Sequence, residues 1–179
     1  MIVKNTIQLG NPLLRRKAKS VKDFSVPEVK KTVKDLVDTM RHFSLVGISA
    51  PQIGISSQIF VSEIKPTKYR VGADLDDLRV YINPIIVNFS KKTAVDYEGC
   101  GSVGNAAIFG QVRRSESVTI RAFNEKGDKF ERTVTGLLAR VIQHEIDHLN
   151  GIMFTDKLVS AKTLLSREEY LKMREFERS

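Results

Sequence analysis

A hexapeptide, Gln143-His144-Glu145-Ile146-Asp147-His148, constrains this chain more than any other segment. Its His-Glu-x-x-His spacing puts two imidazoles on one face of a helix, one turn and roughly 6 Å apart along the axis. Two imidazoles so placed can hold one transition metal, with Glu145 in reach of a water at that metal. The flanking residues Leu137, Leu138, Val141, Ile142, Ile146 and Leu149 leave this helix, expected from about Gly136 to Asn150, few polar faces. A helix apolar nearly all round belongs in the middle of its domain. Its polar members then lie against protein or a cavity, and buried polar groups need partners, of which a metal is one. Thr135 is placed to cap its start, and Gly151 to take a left-handed conformation past its end.

The rest of the chain must be built around that helix. At 179 residues it fits a single domain, 1–179, with a sizeable core. Residues 25–43 read as an N-terminal helix: Ser25 and Glu28 match a capping box, Pro27 falls in the first turn, and Val29, Val33, Leu36, Val37 and Met40 form one apolar stripe. Short β-rich runs follow at 58–62, 79–82, 85–89, 118–123 and 129–134, the last two joined by a hairpin connection at 124–128. Residues 65–77 read as an exposed loop. A last helix is expected over Ser166 to Glu177, with Ser166 and Glu169 as a second capping box. The expected class is α+β: small antiparallel sheets packed around a central metal-binding helix, with an N-terminal and a C-terminal helix.

Composition narrows the function classes. Net charge is +8, from 29 basic and 21 acidic residues, which favours acidic neighbours such as RNA. The basic residues are interleaved with acids, however, and the densest run, 15–19, is short, which reads as a basic soluble enzyme rather than a dedicated nucleic-acid binder. No apolar run is long enough to span a bilayer, the first ten residues lack a signal-peptide core, and the sole cysteine, Cys100, suits a reducing cytoplasm. The expectation is a cytoplasmic protein without a membrane partner.

A catalytic metal held by two imidazoles needs a third protein ligand. No histidine follows His148. Cys100 is a candidate: a lone cysteine is most often a small buried hydrophobe, but glycines on both sides let the backbone approach another group closely. Gln52, in Val46-Gly47-Ile48-Ser49-Ala50-Pro51-Gln52, reads either as a surface amide or as a donor to a developing oxyanion.

These three segments together resemble the peptide deformylase family, whose motifs have the forms Gly-x-Gly-x-Ala-Ala-Pro-Gln, Glu-Gly-Cys-x-Ser and Gln-His-Glu-x-Asp-His. Here they are matched at 45–52, 98–102 and 143–148, in the same order and with similar separations. The resemblance runs from about residue 5 to 158 and includes the stretches 9–15, 81–84 and 135–140. It implies an enzyme that hydrolyses the N-formyl group from the formyl-methionine of nascent polypeptides, releasing formate. Cys100, His144 and His148 would be the metal ligands, and Glu145 the general base and later the acid. Gln52 and the Gly101 N–H would bind the formyl oxygen, and Gly47, Ile48 and Arg114 would bind substrate. The ion would be Fe2+ by resemblance, while a thiolate and two imidazoles equally suit Zn2+, Ni2+ or Co2+. N-formylated nascent peptides and a contact with the ribosome are the partners it implies. Two rival readings are a related metal hydrolase with another formyl-amide substrate and a non-catalytic paralogue that binds peptides. The chain departs from the motifs at Leu45, Ser49 and Gly101, where the family has Gly, Ala and Leu, and segment 103–110 lacks the family's proline. All the chemical groups remain, so these departures read as altered substrate fit.

Overall fold

The structure is a computed structural model, and it describes residues 3–67 and 75–177. The first helix, α1 (Pro27–His42), starts with proline in its first turn and has Glu28 at its positive end and Arg41 and His42 at its negative end. Val29, Leu36 and Met40 are buried, and Val33 and Val37 pack against the same cluster, as the stripe requires. The expected capping box does not form. Val26 is the N-cap, and the Ser25 hydroxyl is taken by Asp23 at 2.6 Å, because Ser25 lies one residue too early to reach the helix amides.

Eight strands are described: β1 (Gly47–Ser49), β2 (Ile59–Ile64), β3 (Asp76–Phe89), β4 (Thr93–Gly99), β5 (Ile108–Ser115), β6 (Ser117–Phe123), β7 (Lys129–Thr135) and β8 (Leu165–Ser166). They form a five-stranded antiparallel sheet, β1-β2-β3-β6-β7, and a three-stranded one, β4-β5-β8. The runs at 79–82 and 85–89 are one strand with a register shift between them. Asn83 sits there at φ 49°, a conformation that asparagine tolerates, and its side chain accepts from the Val21 N–H and donates to the Val21 carbonyl. Much of the loop expected at 65–77 lies outside the described residues.

The second helix, α2 (Gly136–Leu149), lies between the sheets. Leu138, Ala139, Ile142 and Leu149 join Phe60, Tyr81, Ile120 and Val134 in the core over the five-stranded sheet. Its other side is polar and buried, and it is sewn to the second sheet. Arg140 donates to the Ala94 and Val112 carbonyls, and Gln143 accepts from the Ser115 N–H and donates to its carbonyl. Gly151 has φ 76° past the helix end, as expected. Thr135 is the N-cap, but its side chain makes no capping hydrogen bond.

The last helix, α3 (Arg167–Phe176), is capped by the Ser166 hydroxyl, which accepts from the Glu169 N–H. It rests on the three-stranded sheet, with Tyr170 stacked on Phe109 at 4.2 Å. The α+β class and the central metal-motif helix are as the sequence predicts. No described helix is long and apolar enough to cross a membrane.

Candidate metal centre and active site

Cys100 directly follows β4, at the end where that strand meets α2. Its Sγ lies 3.2 Å from His148 Nε2, which in turn is 3.2 Å from His144 Nε2. The three candidate ligand atoms all lie within 4.8 Å of one another. Sulfur and imidazole ligands sit about 2.0–2.3 Å from a zinc-like ion, so atoms this close can share one. Among the described residues no other group of His, Cys, Asp and Glu side chains converges in this way.

The surrounding charges fit a metal. His144 Nδ1 meets Glu98 Oε2 at 2.9 Å, which leaves Nε2 facing the centre. Such a carboxylate–histidine pair fixes the ring and its tautomer at metal sites. Burial opposes charge on His144, but its hydrogen bonds with Cys100 and Glu98 outweigh that and raise its pKa. Burial and the neighbouring His144 and Arg114 push His148 down. A metal binds thiolate and neutral imidazole, so an ion entering this cluster would release protons from it. His148 Nδ1 and Glu145 Oε2 are buried without a hydrogen-bond partner among the described residues. The donor set therefore fits one divalent transition-metal ion.

Glu145 lies on the same helix, 3% exposed, and burial pushes its carboxyl up to about 7. Strand β1 runs very close to it. A Cβ on Gly47 would stand 2.8 Å from both Glu145 Oε1 and Val141 Cγ1, so only glycine lets β1 approach α2 this closely. Ile48 follows, fully buried, on the edge strand of its sheet.

Gln52 is buried, not a surface amide. It closes a 3₁₀ turn, Ala50–Ile53, in which the Ser49 N–H and hydroxyl both donate to its Oε1, at 2.8 and 2.9 Å. With the carbonyl end so held, the amide nitrogen points at Cys100 Sγ, 3.4 Å away. The Gly101 backbone is next to that sulfur. Leu45 Cδ1 lies 3.3 Å from where a Cβ on residue 101 would stand, so the leucine at 45 occupies the space next to the missing side chain. Among the described residues the positive φ in this turn belongs to Ser44, not to Leu45, so the leucine carries no left-handed strain.

Arg114, which the resemblance places at the substrate cleft, has a side chain 3% exposed and a guanidinium engaged by two carboxylates. It grips Glu98 with two hydrogen bonds, at 2.8 and 2.9 Å, and pairs with Asp147 as well. Arg140 adds a further bond to Glu98, and Lys157 one to Asp147. Although burial opposes it, the bonds from Arg114 and His144 hold the Glu98 carboxyl far below the usual carboxylate range. Arg114 thus backs the carboxylate that orients His144. The sequence reading gave Glu98 and Ser49 no role. The signal for Glu98 was its place two residues before Cys100, on a strand that puts it on the side opposite Gly99.

Comparison with known proteins agrees with this geometry. The model of the polypeptide deformylase family matches residues 3–164. The peptide deformylase of Thermotoga petrophila is 38% identical over 162 residues, 90% of this chain and 91% of that one. That of Desulforudis audaxviator is 39% identical over 169 residues, 94% of this chain and all of the other. Among solved structures, a Met-Ala-Ser-bound class I type b peptide deformylase from Acinetobacter baumannii superposes with a TM-score of 0.82 at 31% identity, covering 88% of this chain and 99% of that one. The Thermotoga maritima enzyme gives 0.77 at 34% identity, over 89% and 100%. On a match that spans nearly the whole chain, and with the metal-ligand triad in place, the protein belongs to the polypeptide deformylase family.

Proposed function

We propose that this chain is a peptide deformylase that removes the formyl group from the N-terminal formyl-methionine of nascent polypeptides. One observation carries the reading: Cys100, His144 and His148 converge within 4.8 Å, with Glu145 and Gln52 against them. Cys100, His144 and His148 would hold a single divalent ion, with Fe2+ the assignment by resemblance and Zn2+, Ni2+ and Co2+ also suited to the ligands. When bound, the metal supplies Lewis acidity that makes water nucleophilic near neutral pH.

The chain's own residues do the rest. Glu145, with its pKa raised toward neutrality by burial, takes a proton from the attacking water. The water oxygen bonds to the formyl carbon, and the carbonyl oxygen becomes an oxyanion. The Gln52 amide, held in orientation by Ser49, and the Gly101 N–H donate to that oxygen. Glu145 returns the proton to the amine nitrogen, the C–N bond breaks, and formate leaves. Gly47 and Ile48, on the sheet's edge strand, pair with the substrate backbone as an added strand. The ribosome that presents the nascent chain and the cytoplasm belong to this same reading, and the net charge of +8 suits an RNA-bearing partner.

The experiment is formate release from formyl-Met-Ala-Ser by metal-loaded protein, run beside detection of internal cleavage of the same peptide. Formate without internal cleavage, abolished by a chelator, is the expected result. Internal cleavage would assign another hydrolase, and no turnover on any formyl peptide would assign a peptide-binding paralogue.

A further inference from the structure

A segment with no part in the mechanism above grips the peptide after Cys100. Residues 6–9 run across both loops that carry the oxyanion donors. The Ile7 N–H donates to the Gln52 carbonyl at 2.8 Å, and the Leu9 N–H to the Ser102 carbonyl at 2.7 Å. Between these two bonds, two side chains converge on one atom. Thr6 Oγ1 donates to the Gly101 carbonyl at 3.0 Å, and Gln8 Nε2 donates to the same oxygen at 2.9 Å. Gln8 is itself held, since its Oε1 accepts from the Asn105 N–H at 3.1 Å. On the other side of the glycine, the Cys100 carbonyl accepts from the Val103 and Ala106 N–H groups, at 3.0 and 3.1 Å.

Gly101 joins two peptide planes, and both of their carbonyls are thus held. Glycine has more conformational freedom to lose than any other residue, and residue 101 has no side chain to anchor it. An oxyanion donor is effective only when it is aimed before the charge develops. The geometry points to Thr6 and Gln8 as positioning residues that hold the Gly101 backbone so that its N–H stays aimed at the formyl oxygen. This rests on the deformylase reading of Gly101. Neither side chain needs to touch substrate; both act through the glycine.

Two variants in the full-length, zinc-loaded protein test it. Thr6→Val removes one donor. Gln8→Glu is nearly isosteric and half-buried, keeps the acceptor for Asn105, and replaces the amide donor by a carboxylate oxygen. Two quantities are read: amide hydrogen exchange at 101 and 102, and steady-state formate release from formyl-Met-Ala-Ser. The expected result is faster exchange in both variants and a kcat lower by ~10-fold, a fraction of the 10²–10³-fold that losing an oxyanion donor outright costs. KM should stay within about twofold, because an interaction made in the transition state moves kcat. Thr6→Ser, which keeps the hydroxyl, should restore kcat. Unchanged exchange would overturn the proposal, as would faster exchange with kcat intact or with the loss confined to KM. A wild type that releases no formate would instead refute the deformylase reading, and exchange at 101 would still decide whether the clamp exists.

Discussion

Gln52 shows how one side chain is prepared for a single task. Two donors from Ser49 hold its carbonyl, so its amide nitrogen faces the Cys100 sulfur, where the proposed mechanism has it donate to the formyl oxygen. Gln52→Leu should lower kcat by about 10²–10³-fold with little change in KM. Steady-state kinetics on formyl-Met-Ala-Ser check this, and a pure KM effect would mean that Gln52 only positions the ground state. The two departures at Leu45 and Gly101 belong together, because Leu45 Cδ1 lies against the space that a side chain at 101 would enter. Gly101→Leu alone should therefore overpack the turn and lose about 1–3 kcal/mol of stability. Leu45→Gly in the same chain should recover most of that loss, giving clear non-additivity in a double-mutant cycle. Additive losses in thermal or denaturant unfolding would separate the two positions. The sequence showed both departures but not their contact, because residues 45 and 101 meet only through the fold.

At the scale of elements, periodicity revealed what is amphipathic and concealed what is charged. The α1 stripe and the nearly all-apolar α2 were legible, as was the β6–β7 hairpin, because one or both faces meet a core. The strands β4 and β5 were not. Asp96, Glu98, Arg113 and Arg114 hide any apolar alternation there, whereas the Glu98–Arg114 pair is buried between the sheet and α2. The short strands β1 and β8 gave too few residues to show a period. The resemblance alone placed Arg114 at the substrate, and the sequence could not show that β5 turns its side chain onto Glu98. Arg114→Met should leave KM for the formyl peptide near wild type while destabilising the protein by roughly 3 kcal/mol, the lower end of the cost of breaking a buried ion pair, because Arg140 and His144 still hold Glu98 and Lys157 still holds Asp147. Denaturant unfolding and KM measured on the same preparation check it. A raised KM with stability intact would return Arg114 to the substrate cleft.

At the scale of the whole molecule, α2 lies between two sheets that each contribute part of the site. The three-stranded sheet brings Glu98, Gly99 and, just past its end, Cys100. The five-stranded sheet brings Gly47 and the turn that carries Gln52. The helix supplies both histidines and Glu145, so the five-residue motif at 144–148 depends on two sheets to bring Cys100 and Gln52 against it. The motifs in sequence identified these members, whereas the shell behind them appears only when the chain is folded: Glu98 on His144, Ser49 on Gln52, and Thr6 and Gln8 on Gly101. The central claim is that this assembly works as a metal-dependent deformylase with Glu145 moving the proton. The most direct measurement compares kcat for formate release by wild type and Glu145→Gln, each carrying the same measured metal content. The expected result is a fall of about 10²–10⁴-fold with metal retained. Near-normal kcat in the metal-loaded variant would contradict it.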